Sequence, residues 1–249
     1  MLNTIFNHRS IRKFKNNPIA QDVLQEILEA GIRASNTGNM QAYSIVVTHN
    51  QGLKEQLWEA HFKQDMVKQA PVVITFCADF NRITRWCSIN KAQPGFDNFQ
   101  SFTAAAIDAL LASQNIALAA EEKGLGICYL GTTTYMTSKI IEILSLPKLV
   151  VPITSIVVGY AEEIPDLTDR LPLNSVVHNE TYTDYSDSDI RYMYKDKENL
   201  DFYKNIVRIS NKESLAQVFT DNRYKKADNQ FFSKTFIEAL TQQGFMNND

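Results

Sequence analysis

Among the side chains able to do chemistry, the densest run is His8, Arg9, Ser10, Ile11, Arg12 and Lys13, placed ahead of the first helical pattern. Guanidinium forks hold phosphate oxygens at two points and a hydroxyl adds another donor, so the composition suits an anionic ligand. Taken alone, the run reads first as a solvated basic stretch. Arg170, in the run Leu167, Thr168, Asp169, Arg170, Leu171, Pro172, is a second cation able to complete an anion site. Hydrolytic signatures are missing: there is no G-x-S-x-G, H-E-x-x-H or P-loop, and no G-x-G-x-x-G dinucleotide loop. His8, His49, His61 and His178 are scattered without metal-ligand spacing and read as surface or core histidines.

Elements that could position such a site are legible from apolar periodicity. Four β-rich runs, residues 44–48, 72–78, 126–130 and 153–160, predict buried strands of one sheet. Helical spacing marks residues 21–33, 52–60, 101–123 and 138–144, with Gly124 placed to close the long helix and Thr137 to cap the next. That long helix is rich in alanine, which suits either a central core helix or a subunit interface. Residues 162–201 are polar, acidic and tyrosine-rich and read as an excursion over the core or a partner. A helical pattern over 229–243, ended by Gly244, predicts a tail that packs back on the body.

The 249 residues are 44% hydrophobic and 21% charged with a net charge of -3, an ordinary globular balance with no basic field for a nucleic-acid partner. The N-terminal stretch lacks the pattern of a secretory signal, and Asp108, Gln114 and Asn115 make residues 103–120 a poor membrane span. Three cysteines without C-x-x-C spacing predict neither disulfides nor zinc, and a reducing, cytoplasmic setting follows.

Several motifs in register carry a resemblance. The string His8 to Arg12, the loop Ala34, Ser35, Asn36, Thr37, Gly38, Asn39, Met40, Gln41, the strand end Cys77 to Arg82, residues 124–131, Arg170 to Pro172 and Val177 to Glu180 resemble the oxygen-insensitive nitroreductases. The closer likeness is to their larger, typically NADPH-using branch, which includes flavin reductases. It holds from residue 8 to about 182 and includes the C-terminal helix.

The resemblance implies an α+β nitroreductase-like fold with a central mixed sheet flanked by helices. It implies a core over residues 1–160, with 161–249 as an excursion and helix of the same domain. It also implies an obligate homodimer binding FMN at its interface, with NADPH or NADH as electron donor. Nitroaromatics, quinones or free flavin would be the acceptors, reduced by ping-pong two-electron transfer through flavin N5. By position, His8, Arg9, Ser10 and Arg170 would contact the phosphate, and Arg12 would reach the N1 and O2 edge, where a cation stabilises the charge gained on reduction. Gln64 would contact the pyrimidine side, Asn36 and Thr37 would lie against the flavin, and Tyr129, Leu130, Gly131 and Thr132 would meet the ring near N5. No side chain is implied as a general base. Thr168 stands where the branch has a lysine, and Arg208, Ile209, Ser210, Asn211 and Lys212 match its 2'-phosphate loop only in part, leaving both donors open. The alternatives are a non-catalytic flavin-binding protein, separable by its failure to react with nicotinamide, and a cofactor-free interaction domain, which would bind no FMN.

Overall fold

Four apolar runs form the strands β1 (Tyr43–Thr48), β2 (Val72–Asp79), β3 (Gly126–Leu130) and β4 (Val150–Gly159); β1, β2 and β4 are rich in Val, Ile and Thr, whose branched side chains fit a pleated, buried surface. The computed structural model describes residues 2–247. It divides into two compact units, residues 2–166 with 232–247, and residues 167–231. In the first unit the strands join α1 (Leu2–Phe6), α2 (Gln21–Ile32), α3 (Gln51–Ala60), α4 (Met66–Gln69), α5 (Asn81–Ile89), α6 (Phe99–Glu122) and α7 (Thr137–Ile143). The second unit holds α8 (Asp187–Asn199), α9 (Asp201–Ile209) and the single turn α10 (Leu215–Gln217), after which α11 (Lys226–Gln243) leads back into the first.

The sheet order is β1-β2-β4-β3, and every ladder is antiparallel, with Tyr43 opposite Ala78, Val72 opposite Val158 and Gly126 opposite Gly159. The expected mixed sheet is thus an antiparallel one, to which an isolated parallel bridge, Ser10 to Ile127, is added. The strands are continuously apolar because both faces are covered, not because they run parallel. Val72, Ile74 and Phe76 face α2 and α6, where Leu24, Ile27, Ala112 and Ile116 pack, whereas Val73, Cys128 and Leu130 face Leu57, Val67 and Ile140 of α3, α4 and α7.

Helix α6 is a core helix with one face left open. Ala105, Ala109, Ala112, Ala117 and Ala120 are buried, while Ile107, Leu110 and Leu111 are exposed. It is the one described helix long and apolar enough to cross a bilayer, yet its buried row includes Asp108 and packs on the sheet. Asn98 caps its start by accepting from the Ser101 N–H, and Gly124 ends it at φ +76°, a conformation that costs glycine little. Thr137 is the first residue of α7 rather than its cap, and its hydroxyl donates back to the Thr134 carbonyl at 3.0 Å.

The tail returns as expected: Leu240 and Phe245 pack with Phe80 and Phe102, and Gln243 Nε2 donates to the Val150 carbonyl at 2.7 Å. The excursion differs from expectation, because its acidic stretch starts a helix. Ser186 and Asp189 form a reciprocal capping box at the head of α8, where carboxylates also suit the helix dipole. Helix α5, absent from the apolar pattern because Trp86 and Ile89 face outward, is started by Asp79, whose Oδ1 accepts from the Asn81 N–H at 2.8 Å.

Candidate flavin site

The N-terminal run is fixed to the sheet edge by backbone chemistry. Ile11 N–H donates to the Ile127 carbonyl at 2.8 Å, and Gly126 makes the approach possible, since a Cβ there would stand 2.5 Å from Ile11 Cγ1 and 2.9 Å from its Cβ. The cations then part company. Arg9 lines a cavity of about 260 Å³ with Ile11 and Glu121. Its guanidinium donates to the Asn7 carbonyl at 2.8 Å, and its Nε is buried without a partner. His8 Nδ1 lies 2.7 Å from Glu121 Oε1 at the end of α6. Ser10 and Arg12 lie beside Cys128, whose thiol is raised by burial but drawn down by the Arg12 charge and the Ser10 hydroxyl. Arg12 is exposed and makes a long 3.5 Å contact to the Ser10 carbonyl, which leaves guanidinium donors for a ligand.

At the far end of β3, Tyr129 turns its hydroxyl to Ser113 of α6 at 3.1 Å, and Leu130 is buried in the core. Burial raises the Tyr129 phenol, partly offset by the Ser113 hydrogen bond. Their side chains therefore serve packing, and only their backbone can meet a ligand. Beyond them, nothing stands within 4 Å of where a Gly131 Cβ would be. Thr132 Oγ1 lies 2.7 Å from His61 Nδ1 and 3.4 Å from Gln64 Nε2, and the same amide donates to the His61 carbonyl at 3.0 Å. His61 is fully buried, and burial holds its pKa down at about 4, so the imidazole is neutral near pH 7. The residues between it and Gln64, Phe62 and Lys63, both take positive φ, 55° and 58°. This turn folds Gln64 back over Thr132 at some backbone cost.

The loop before β1 is held from α6. Asp108, 1% exposed, accepts from Thr37 N–H at 2.9 Å and from the Thr37 hydroxyl at 3.1 Å on Oδ1, and from Ala42 N–H at 3.3 Å on Oδ2. Asn36 Oδ1 accepts from Gln41 N–H at 3.1 Å. Thr37 is thus occupied by the fold, and Gly38, Asn39 and Gln41 all take positive φ. Asp108 and His61 are the two positioning groups that residue typing did not single out. The clues were an acid inside an alanine-rich helix and a histidine three residues before Gln64.

Arg170 belongs to the second unit, where its guanidinium donates to Thr168 Oγ1 at 2.7 Å and the Asp169 carbonyl at 2.9 Å. Asp169 is not a free acid. Burial alone would raise its pKa, but hydrogen bonds from Lys197 at 2.7 Å and Tyr203 at 2.9 Å outweigh this and hold it below the usual range. Lys197 therefore sets a cation against Asp169, the residue after Thr168. In the partly matched loop, Arg208 donates to Asn205 and Lys212 pairs with Asp221, each at 2.8 Å. Among the described residues no group of three or more His, Cys, Asp or Glu side chains could hold a metal.

The layered α+β architecture carries a cationic segment along one sheet edge and an open polar strand end beside it. The model of the Nitroreductase family matches residues 5–160, and the chain belongs to that family of oxidoreductases. It is 32% identical over 207 residues to an FMN reductase (NADPH) of Bacillus subtilis, covering 82% of this chain and 83% of that one. A solved structure from Bacteroides fragilis superposes with a TM-score of 0.97 at 50% identity, covering 98% of this chain and 100% of that one. The NfrA1 nitroreductase of B. subtilis superposes at 0.87 with 26% identity, covering 99% of each.

Proposed function

We propose that the chain is an FMN-dependent NAD(P)H oxidoreductase that reduces nitroaromatics, quinones or free flavins in alternating half-reactions. The observation that carries this reading is the arrangement around β3, with Arg12 and Ser10 along one edge and Gly131, Thr132 and Gln64 at its end. The donor set suits a phosphorylated flavin: an exposed guanidinium with spare N–H groups, a hydroxyl, and an amide beside open space. Bound there, FMN would supply the two-electron redox chemistry that links nicotinamide to acceptor.

The side chains position and polarise. Arg12 would place positive charge at the edge of the ring that gains electrons, where a guanidinium in a partly desolvated site acts more strongly than in water. Ser10 would reach the phosphate, and Asp108 holds the loop carrying Asn36 and Thr37 against the ligand. Arg9 and His8 are proposed as supports of the segment, through the cavity and Glu121. Arg170 keeps the phosphate role that the resemblance implies. His61 is buried and its pKa is held down at about 4, so it is neutral near pH 7 and is assigned no general-base role.

The exposed Ile107, Leu110 and Leu111 of α6 form a stripe at helical spacing that suits a homodimer interface. Three free cysteines suit a reducing, cytoplasmic setting. Steady-state rates against NADPH at several acceptor concentrations test the alternating scheme. Parallel double-reciprocal lines are expected, and lines that intersect would reject it. Arg12→Leu should weaken FMN binding by roughly tenfold or more, as the loss of a charge-assisted contact requires, and unchanged binding would reject its assignment.

A further inference from the structure

We propose that His61 is a positioning residue for the flavin: carrying its proton on Nδ1, it leaves the Thr132 hydroxyl free to donate to a flavin imide carbonyl, while Gln64 Oε1 accepts from the imide N–H. This rests on the FMN reading above.

The argument is a hydrogen-bond count. A neutral imidazole has one N–H and one lone pair. His61 Nδ1 is 2.7 Å from Thr132 Oγ1, while Nε2 is buried with no partner. A proton on Nε2 would orphan a buried donor, the rarer and costlier defect, whereas a proton on Nδ1 leaves only an unused lone pair. Nδ1 therefore donates to Thr132 Oγ1. Gln64 Nε2 points to the same oxygen from 3.4 Å and donates to the His61 carbonyl at 3.0 Å. Both lone pairs of the hydroxyl are engaged, and its hydrogen faces outward. Both amide hydrogens of Gln64 are likewise turned inward, so Oε1 is the group it presents.

One outward donor beside one outward acceptor is the complement of an imide edge, which offers a carbonyl and an N–H side by side. The neighbouring Gly131 leaves open space, and the left-handed turn at Phe62 and Lys63 brings Gln64 to the hydroxyl. A carbonyl of that edge gains negative charge when the ring is reduced, so the Thr132 donor binds the reduced ligand more tightly than the oxidised one.

The experiment measures FMN affinity and the two-electron midpoint potential of bound FMN in wild type, His61→Leu, His61→Asn, Thr132→Val and the double variant His61→Leu/Thr132→Val. His61→Leu removes the Nδ1 donor, and His61→Asn restores an N–H near the same place. Expected are a potential lowered by a threefold to tenfold loss of preference for reduced flavin, roughly 15–30 mV, in His61→Leu and Thr132→Val. No further loss is expected in the double variant, and recovery is expected in His61→Asn. An unchanged potential in a folded His61→Leu, or a full additional loss in the double variant, overturns the proposal. If His61→Leu does not fold, Thr132→Val against Thr132→Ser decides: only the valine should lower the potential, and equal potentials reject it. Wild type that binds no FMN rejects instead the reading on which the proposal stands.

Discussion

Replacing Asp108 by Asn tests whether one buried carboxylate holds the loop proposed to lie against the flavin. The two side chains are nearly isosteric, so packing is unchanged and the effect is confined to hydrogen bonding. In the wild type Oδ1 takes two bonds from Thr37 and Oδ2 takes one from Ala42 N–H. The asparagine oxygen can keep the Thr37 pair, but its NH2 then faces the Ala42 N–H, donor against donor. Ala42 is fully buried, so that N–H goes unsatisfied at about 1–3 kcal/mol, and the surviving bonds lose charge assistance worth roughly 0.5–1 kcal/mol each. The sum is a destabilisation of about 2–5 kcal/mol, read as a shift of the urea midpoint at constant m-value. FMN affinity should fall as well, because Thr37 and its positive-φ neighbours lose their anchor. A variant within about 0.5 kcal/mol of wild type, the range of an inconsequential surface change, would refute the reasoning.

Other perturbations follow from the same contacts. Gly126→Ala drives a Cβ into Ile11 and should cost about 1–3 kcal/mol by overpacking while weakening FMN binding. An alanine variant with wild-type stability and affinity would show that the N-terminal segment does not need this close approach. His61 is held near pKa 4 against 6.5 unfolded, so the unfolded chain takes up its proton first and stability falls as pH drops from about 6.5 to about 4. The difference of 2.5 units corresponds to about 3 kcal/mol. Urea titrations at pH 7 and pH 4.5 should show a smaller loss in His61→Asn than in wild type, and equal losses would contradict it. Leu110→Glu with Leu111→Lys should convert a dimer to a monomer in light scattering, and a wild-type monomer would reject the α6 interface.

Much of this was legible because burial leaves a period in the sequence. Strand β3 matches its predicted range, and α2, α3, α6 and α7 lie within two residues of theirs, because their apolar faces repeat at the spacing of the structure they form. Helices α5 and α8 were missed for opposite reasons: α5 turns Trp86 and Ile89 outward, and α8 is so polar that its capping box is its only sequence signal. Apolarity reported the burial of the strands and carried no information on their direction; the mixed sheet was an implication of the resemblance, and the ladders are antiparallel. At the site, residue typing found the cationic run but could not distribute its parts, since only the docking of Ile11 on β3 separates Arg9 from Arg12. Nor could it find Asp108 or His61, whose roles are carried by partners 66 and 71 residues away.

The most direct test is anaerobic mixing of the FMN-loaded chain with stoichiometric NADPH, and separately NADH, while the visible flavin absorbance is followed. The account predicts rapid bleaching with at least one donor and return of the absorbance when a quinone or nitroaromatic is added. A chain that binds FMN but keeps its absorbance with both donors would contradict it.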